Sequence, residues 1–370
     1  MKKLLILFAF ITLAAGCSSG DSNGTTNSGS YDKTALLTNW ADNIIIPSFE
    51  NYQAKVTALN EKTTAFTTAP TEANLALLRQ SWLEAYKAYQ YVALFENGKA
   101  GELYLVESSN TYPADVAGIN ANIASGNYIL TQQVQFTRQG YPALDYIING
   151  LGTTDTAIAS FYNTNANAAG YKQYLAAVVT RLKQTADAIV ADWKGSYRAT
   201  FISSTGTSVS GAVNITANNF VKNLEKDVRF PKMGVPAGLF SNGQTYPDKV
   251  EAYYKNDVSK ELLIDAVTAS RDFFNGKYFN SATTGPGLKG YLDAVGAGGN
   301  KPLSTVIDNQ YALALTAAGV LNNSFSQQIT TDNTKMVAAY NALQQVVIYT
   351  KSSMLSALNI SIDYVDGDGD

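Results

Sequence analysis

Apolar residues at Ile45, Phe49, Tyr52, Val56 and Leu59 recur at alternating spacings of four and three. That period puts them on one face of a helix, with Pro47 making a kink or a fresh start near its beginning. Ala69-Pro70-Thr71 breaks the helix, and Thr71 is a suitable N-cap for a second. The second helix carries Leu75, Leu78, Trp82, Tyr86, Tyr89 and Val92 on one face and stops near Asn97-Gly98. Two helices joined by a short turn form an antiparallel hairpin, the unit of an up-down bundle. No run alternates convincingly away from the C-terminal tail, so the chain reads as all-α.

The remaining chain supplies further helices between polar breaks. Residues 108–128 read as loop and short helix with Tyr112-Pro113 as punctuation. Residues 128–138 are helical or extended, and 149–170 are a linker or mobile loop. Tyr171, Leu175, Val178, Leu182, Ile189 and Trp193 mark a strong helix. The polar stretch 196–213 is the expected domain boundary. Beyond it the spacing predicts a helix over 217–230 that stops at Pro231, a loop through Gly238, and a helix from Pro247 to Tyr254. Three more are predicted over 259–274, 302–323 and 331–358. Each half supplies about four helices, which suggests two similar four-helix bundles packed side by side, over 31–195 and 214–370.

The chain begins Met1-Lys2-Lys3, runs apolar from Leu4 to Ala15, and reaches Gly16-Cys17. A basic start, a short apolar core and small residues before a cut site describe a secretory signal over 1–16. Leu13-Ala14-Ala15-Gly16-Cys17 resembles the bacterial lipobox, with cleavage before Cys17 and lipid on its sulfur; an ordinary signal peptide is the alternative. Residues 17–30 then form a flexible tether rich in Ser, Gly, Asn and Thr. The expected location is the bacterial cell envelope, with the N-terminal lipid holding the chain on a membrane, the outer membrane for preference. Loss of Lys2 and Lys3 takes the formal charge from −3 to −5. No basic stripe is visible, so nucleic acid is not an expected partner.

Between Gly140 and Gly150 runs Tyr141-Pro142-Ala143-Leu144-Asp145-Tyr146-Ile147-Ile148-Asn149. Proline suits a first helical position, and Asp145 favours the positive end of the helix dipole. The stretch resembles the imelysin signature, Gly-x-His-x-x-Glu at a helix start, with Gly140 kept, Pro142 in the histidine position and Asp145 in the glutamate position. The order of other segments agrees: Ile44 to Glu96 resembles the first helical hairpin of that family. Leu224 to Gly238, with Lys232, Gly234 and Pro236, resembles the loop opening its second half. Tyr246-Pro247 through Tyr254 and the closing Asp366-Gly367-Asp368-Gly369-Asp370 fit too. The resemblance implies two similar bundles, a site at their interface, and a role in bacterial iron uptake, with an uptake receptor or other envelope protein as partner.

The chain contains no histidine and one cysteine. A catalytic zinc site normally includes histidine, and Ser-His-Asp and Cys-His nucleophilic sites need it. Proteolysis is therefore disfavoured, and the chain is expected not to be an enzyme. Tyr141 and Asp145, four apart, share a helical face. Either they pack and cap a helix, or they face an interdomain cleft and contact ligand, where hard phenolate and carboxylate oxygens admit iron. Tyr112 either lines the same cleft or serves a turn. Lys232 either sits over an anionic ligand or is a solvated loop lysine. Trp82, Tyr86 and Tyr89 are expected in the core rather than on a binding stripe. Asp366, Asp368 and Asp370 lack the downstream glutamate of an EF-hand and read as an acidic tail. A glycan-binding surface lipoprotein is the second class of function, marked by an exposed platform of Trp and Tyr.

Overall fold

Antiparallel helices account for the architecture of the computed structural model, which describes residues 31–206 and 208–364. The signal sequence, the tether, Cys17 and Asp366 to Asp370 lie outside the described residues. Helix Ile46–Thr68 packs against Glu72–Gln90 and against Ala168–Asp192. The turn between the first two is set as the sequence requires, with Thr71 Oγ1 accepting from Asn74 N at 3.2 Å. In the second half, Leu303–Gly319 packs against Phe325–Ile348 and Ser259–Phe274. Ser259–Phe274 also packs against Glu72–Gln90 of the first half. Among the described residues there is no strand, only a single bridge between Lys277 and Thr284. The all-α reading holds.

The apolar stripes read from spacing are the buried faces. Phe49, Tyr52, Val56 and Leu59 are buried, as are Leu75, Leu78, Trp82, Tyr86 and Tyr89. Phe273 joins the two sets of helices, its ring 4.9 Å from Trp40, 5.2 Å from Phe95 and 5.4 Å from Phe220. The polar 196–213 stretch carries a short helix, Arg198–Ser203, whose Phe201 packs 5.1 Å from Trp193. The 149–170 stretch likewise carries a helix, Asp155–Phe161, capped by Thr154.

Two local expectations fail, both near Pro231 and Pro247. The helix before Pro231 does not stop there. Ala212–Lys222 runs on as a wide, π-type helix over Asn223–Gly234 with the proline inside it. Val235 N bonds to Phe230 O at 2.9 Å, five residues back. A wide turn moves the preceding carbonyls away from the proline ring, which removes the clash that breaks an ordinary helix. Conversely, only Pro247–Lys249 forms a turn of helix after Tyr246; Val250 is extended and Ala252 has φ 54°. Tertiary bonds, described next, claim that segment's main chain.

Candidate functional site: two cavities that share Tyr112

The Gly140 stretch is a short helix, Gly140–Asp145, followed by a wide turn, Tyr146–Gly150. Gly140 has φ 71°, and a Cβ there would lie 2.2 Å from Ser109 O, so only glycine fits. At the other end, Gly150 lets the ring of Tyr254 approach to 2.4 Å of where a Cβ would stand. Between them, Tyr141 and Asp145 point to different neighbours.

Tyr141 is fully buried among aromatic side chains. Its ring stacks on Tyr86 at 4.4 Å and 7° and tilts against Tyr89 at 5.5 Å. Its hydroxyl lies 3.2 Å from both the Tyr52 hydroxyl and the Ala85 carbonyl oxygen, and Trp82 Nε1 donates to its carbonyl at 3.3 Å. Asp145 is buried but reaches the second half of the chain. Its Oδ2 accepts from Tyr254 N at 2.8 Å; its Oδ1 accepts from Lys255 N at 2.9 Å and Asn149 Nδ2 at 3.0 Å. Burial pushes this carboxyl up to about 7, against the three donors and Lys255, which pull it down. Asp145 lines a cavity of ≈ 300 Å³ together with Tyr112, Pro113, Pro142, Tyr253 and Tyr254.

Lys232 is neither in a loop nor solvated. It lies inside the wide helix, 2% exposed, ion-paired to Glu251, itself 1% exposed. A buried charge without a partner is so costly that the sites supplying its neighbours are fixed by it. Gln90 Oε1 accepts from Lys232 Nζ at 3.1 Å; Tyr86 and Asn110 donate to Glu251 Oε1 at 3.0 and 2.8 Å. Ser259 Oγ donates to Glu251 O at 2.7 Å. Burial pulls the Lys232 ammonium below its ordinary range, and Glu251 partly offsets this. Nothing in the sequence around Glu251 signalled this role.

Lys232 lines a second cavity of ≈ 240 Å³, whose wall also includes Tyr89, Glu107, Tyr112 and Asp227. Tyr112 thus stands between the two cavities, and the Tyr112–Pro113 peptide bond is cis. Of the four residues singled out from sequence, Tyr112 and Asp145 share one cavity, Tyr112 and Lys232 share the other, and Tyr141 is packed behind both. Gly234 faces the rings of Phe240 and Tyr340, and Pro236 O accepts from Tyr246 N at 2.8 Å, so these two motif residues hold the loop that follows the wide helix. Burial pushes the phenols of Tyr86, Tyr89, Tyr112 and Tyr141 well above their usual range, so all four are neutral at physiological pH. Among the described residues, no group of three or more Asp, Glu, His or Cys is placed to hold a metal ion.

The fold and the paired cavities define an all-α protein built around a buried polar seam between two sets of helices. The Imelysin family model matches residues 45–349, and the chain belongs to that family. Iron-regulated protein A of Synechococcus elongatus is 23% identical over 242 residues, which cover 62% of this chain and 62% of that relative's length. Two crystal structures share the fold. One is of a protein described as an iron-regulated protein A precursor from Parabacteroides distasonis ATCC 8503. It has a TM-score of 0.70 at 16% identity and covers 88% of this chain and 94% of its own. The other, an imelysin-like protein from Psychrobacter arcticum 273-4, has a TM-score of 0.68 at 16% identity and covers 90% and 97%.

Proposed function

We propose that this chain is a non-enzymatic binding protein of the bacterial envelope, held to the outer membrane by lipid on Cys17, that serves iron uptake. Its ligand sits in the ≈ 300 Å³ cavity between two helical domains, against Tyr112, Tyr253 and the Asp145 turn. The observation that carries the reading is this cavity, bounded by the Gly140–Gly150 segment on one side and by residues 248–254 on the other. Both Asp145 oxygens are already engaged by main-chain donors, which leaves little for a bare ion. Iron is therefore taken as a complex that brings its own ligands, and Tyr112 and Tyr253 contact that complex. The relatives' names, iron-regulated protein A, support the link to iron, and the absence of histidine from the whole chain supports a binding role over hydrolysis.

Thermal unfolding against ferric and ferrous ions, iron complexes including haem, zinc, calcium and oligosaccharides tests the reading. A ligand at a hundred times its Kd adds about 2.7 kcal/mol, a shift of several degrees. An iron-complex shift that disappears in Tyr253→Ala supports the proposal. A sugar shift replaces it with the glycan reading, and chelator-sensitive cleavage of peptides replaces it with a peptidase. No shift at all leaves docking to a protein partner in its place.

A further inference from the structure

Arg181, on helix Ala168–Asp192, is a cation without an anion. Arg79, Arg138, Arg198, Arg229 and Arg271, the other arginines of the chain, each face a carboxylate within 4 Å. Arg181 faces none among the described residues. It is half-buried, and its Nε is enclosed with no hydrogen-bond partner. Its Nη2 makes one long bond, 3.4 Å to Leu103 O, and its Nη1 bonds to no described residue. Burial pulls the guanidinium below its ordinary range, and no nearby acid opposes the pull. Charges removed from water are ordinarily paired, so a half-buried guanidinium with its outer nitrogens unspent is a place for an anion.

The side chain lines an open groove of ≈ 430 Å³ between its helix and the 128–131 turn. Ala176 and Ala177 keep the helix side of the groove low, and Tyr128, Ile129 and Leu130 make the facing side apolar. Ile129 is 57% exposed, an apolar side chain left against water. Residues from 173 to 184 line the helix side, so the groove follows about 16 Å of helix.

We propose that this groove binds a small amphiphile with a carboxylate head, the head on Arg181 and the apolar tail along Ala176, Ala177 and Ile129. The head follows from the guanidinium, whose planar N–H groups match two coplanar oxygens. A carboxylate carries one negative charge and a phosphate monoester roughly two. Arg181 is the only cationic side chain lining the groove, so it balances the carboxylate and leaves the phosphate in excess. The tail follows from the facing wall, where an apolar chain removes Ile129 and its neighbours from water. The site is separate from the one proposed for the iron complex, and neither requires the other.

The full chain is titrated by calorimetry with decanoate, decanol, acetate and decyl phosphate, each below the concentration at which it aggregates. Saturable binding of decanoate is expected, at least about tenfold tighter than of the other three. Arg181→Gln should lose the preference for decanoate over decanol, a ratio that a merely structural arginine would not change. Ala177→Leu fills the groove and keeps the charge, and it should weaken decanoate at least about tenfold by an independent route. Tyr253→Ala, on the wall of the ≈ 300 Å³ cavity, leaves decanoate binding intact. The inference is overturned if decanoate does not bind up to about 1 mM, if Arg181→Gln keeps the preference, or if Ala177→Leu binds as wild type does. Tighter binding of decyl phosphate overturns the carboxylate head. Binding to phosphatidylglycerol vesicles without binding of free decanoate overturns it too, by making the groove a bilayer contact. A missing iron-complex shift with decanoate binding retained would remove the reading of the ≈ 300 Å³ cavity and leave this one standing.

Discussion

Asp145 and Glu107 stand on the walls of adjoining cavities, and they are opposites. Both carboxylate oxygens of Asp145 are engaged, by two main-chain amides and a side-chain amide, so its charge is spent inside the protein. Glu107 keeps a buried oxygen that nothing satisfies. A saturated buried carboxylate fixes one segment to another; an unsaturated one carries an unfavourable desolvation term. Position in a family signature therefore does not tell a ligand contact from a structural clamp. Hydrogen-bond accounting does.

The largest effect expected on this contrast comes from the most saturated pair of all. Lys232→Met strands Glu251 and should lower stability by about 3–5 kcal/mol in denaturant unfolding. The double variant Lys232→Met/Glu251→Leu should recover part of that loss, because the stranded charge goes with it. If the single variant is as stable as wild type, the buried pair contributes nothing to stability. Next comes Gly140→Ala, which meets both a left-handed φ and a carbonyl oxygen 2.2 Å from its new Cβ. A cost of about 2–4 kcal/mol is expected, from backbone strain and overpacking together. Asp145→Ala should cost about 2 kcal/mol by leaving the Tyr254 and Lys255 amides without an acceptor. Hydrogen exchange at those two amides should rise more than elsewhere; unchanged exchange would mean the clamp is not formed in solution.

The pH profile is the subtler check. Asp145 and Asp227 are pushed up to about 7 and Asp265 to about 6, each chiefly by burial. Unfolding returns them to the ordinary carboxylate range, so between about pH 4 and 7 the folded state holds more protons than the unfolded one. Their contribution is fully present below the unfolded pKa and is lost as pH rises through the folded values. Acids held below their usual range, such as Asp115 and Asp308, are ionised in both states above pH ~5.5 and add no slope there. Stability should therefore fall from pH 5.5 to 8, and Asp145→Ala should flatten the fall. A rising profile would show that the donors around Asp145 outweigh its burial.

Helix spacing carried most of the fold into view, because an amphipathic stripe such as Leu75-Leu78-Trp82-Tyr86-Tyr89 is a local signal and the core simply collects such stripes. Tyr86 and Tyr89 were legible as core residues, although each also touches the polar seam. What stayed hidden depends on partners distant in sequence. Pro231 reads locally as a stop, and nothing adjacent to it announces that a wide turn carries the helix on and buries Lys232. Glu251 sits in an ordinary-looking segment 19 residues from its lysine and 165 from the tyrosine that donates to it. Tyr141 and Asp145 share a helical face by spacing, yet the interface splits them, one into an aromatic stack and one onto main chain. Glu107 had no local mark, since an unsatisfied oxygen is defined by what is missing around it.

The grip of Asp145 on the amides of residues 254 and 255 has an evolutionary corollary. Every residue except proline presents an N–H, so the clasp constrains the path of the opposing strand of chain and places no demand on its alphabet. For the clasp alone, drift at positions 254 and 255 is free so long as the turn persists, whereas drift at 145 is not. Correlated substitution, the usual signature of residues that meet, should therefore be silent across this junction, and the join between the halves would escape notice in any comparison of sequences alone.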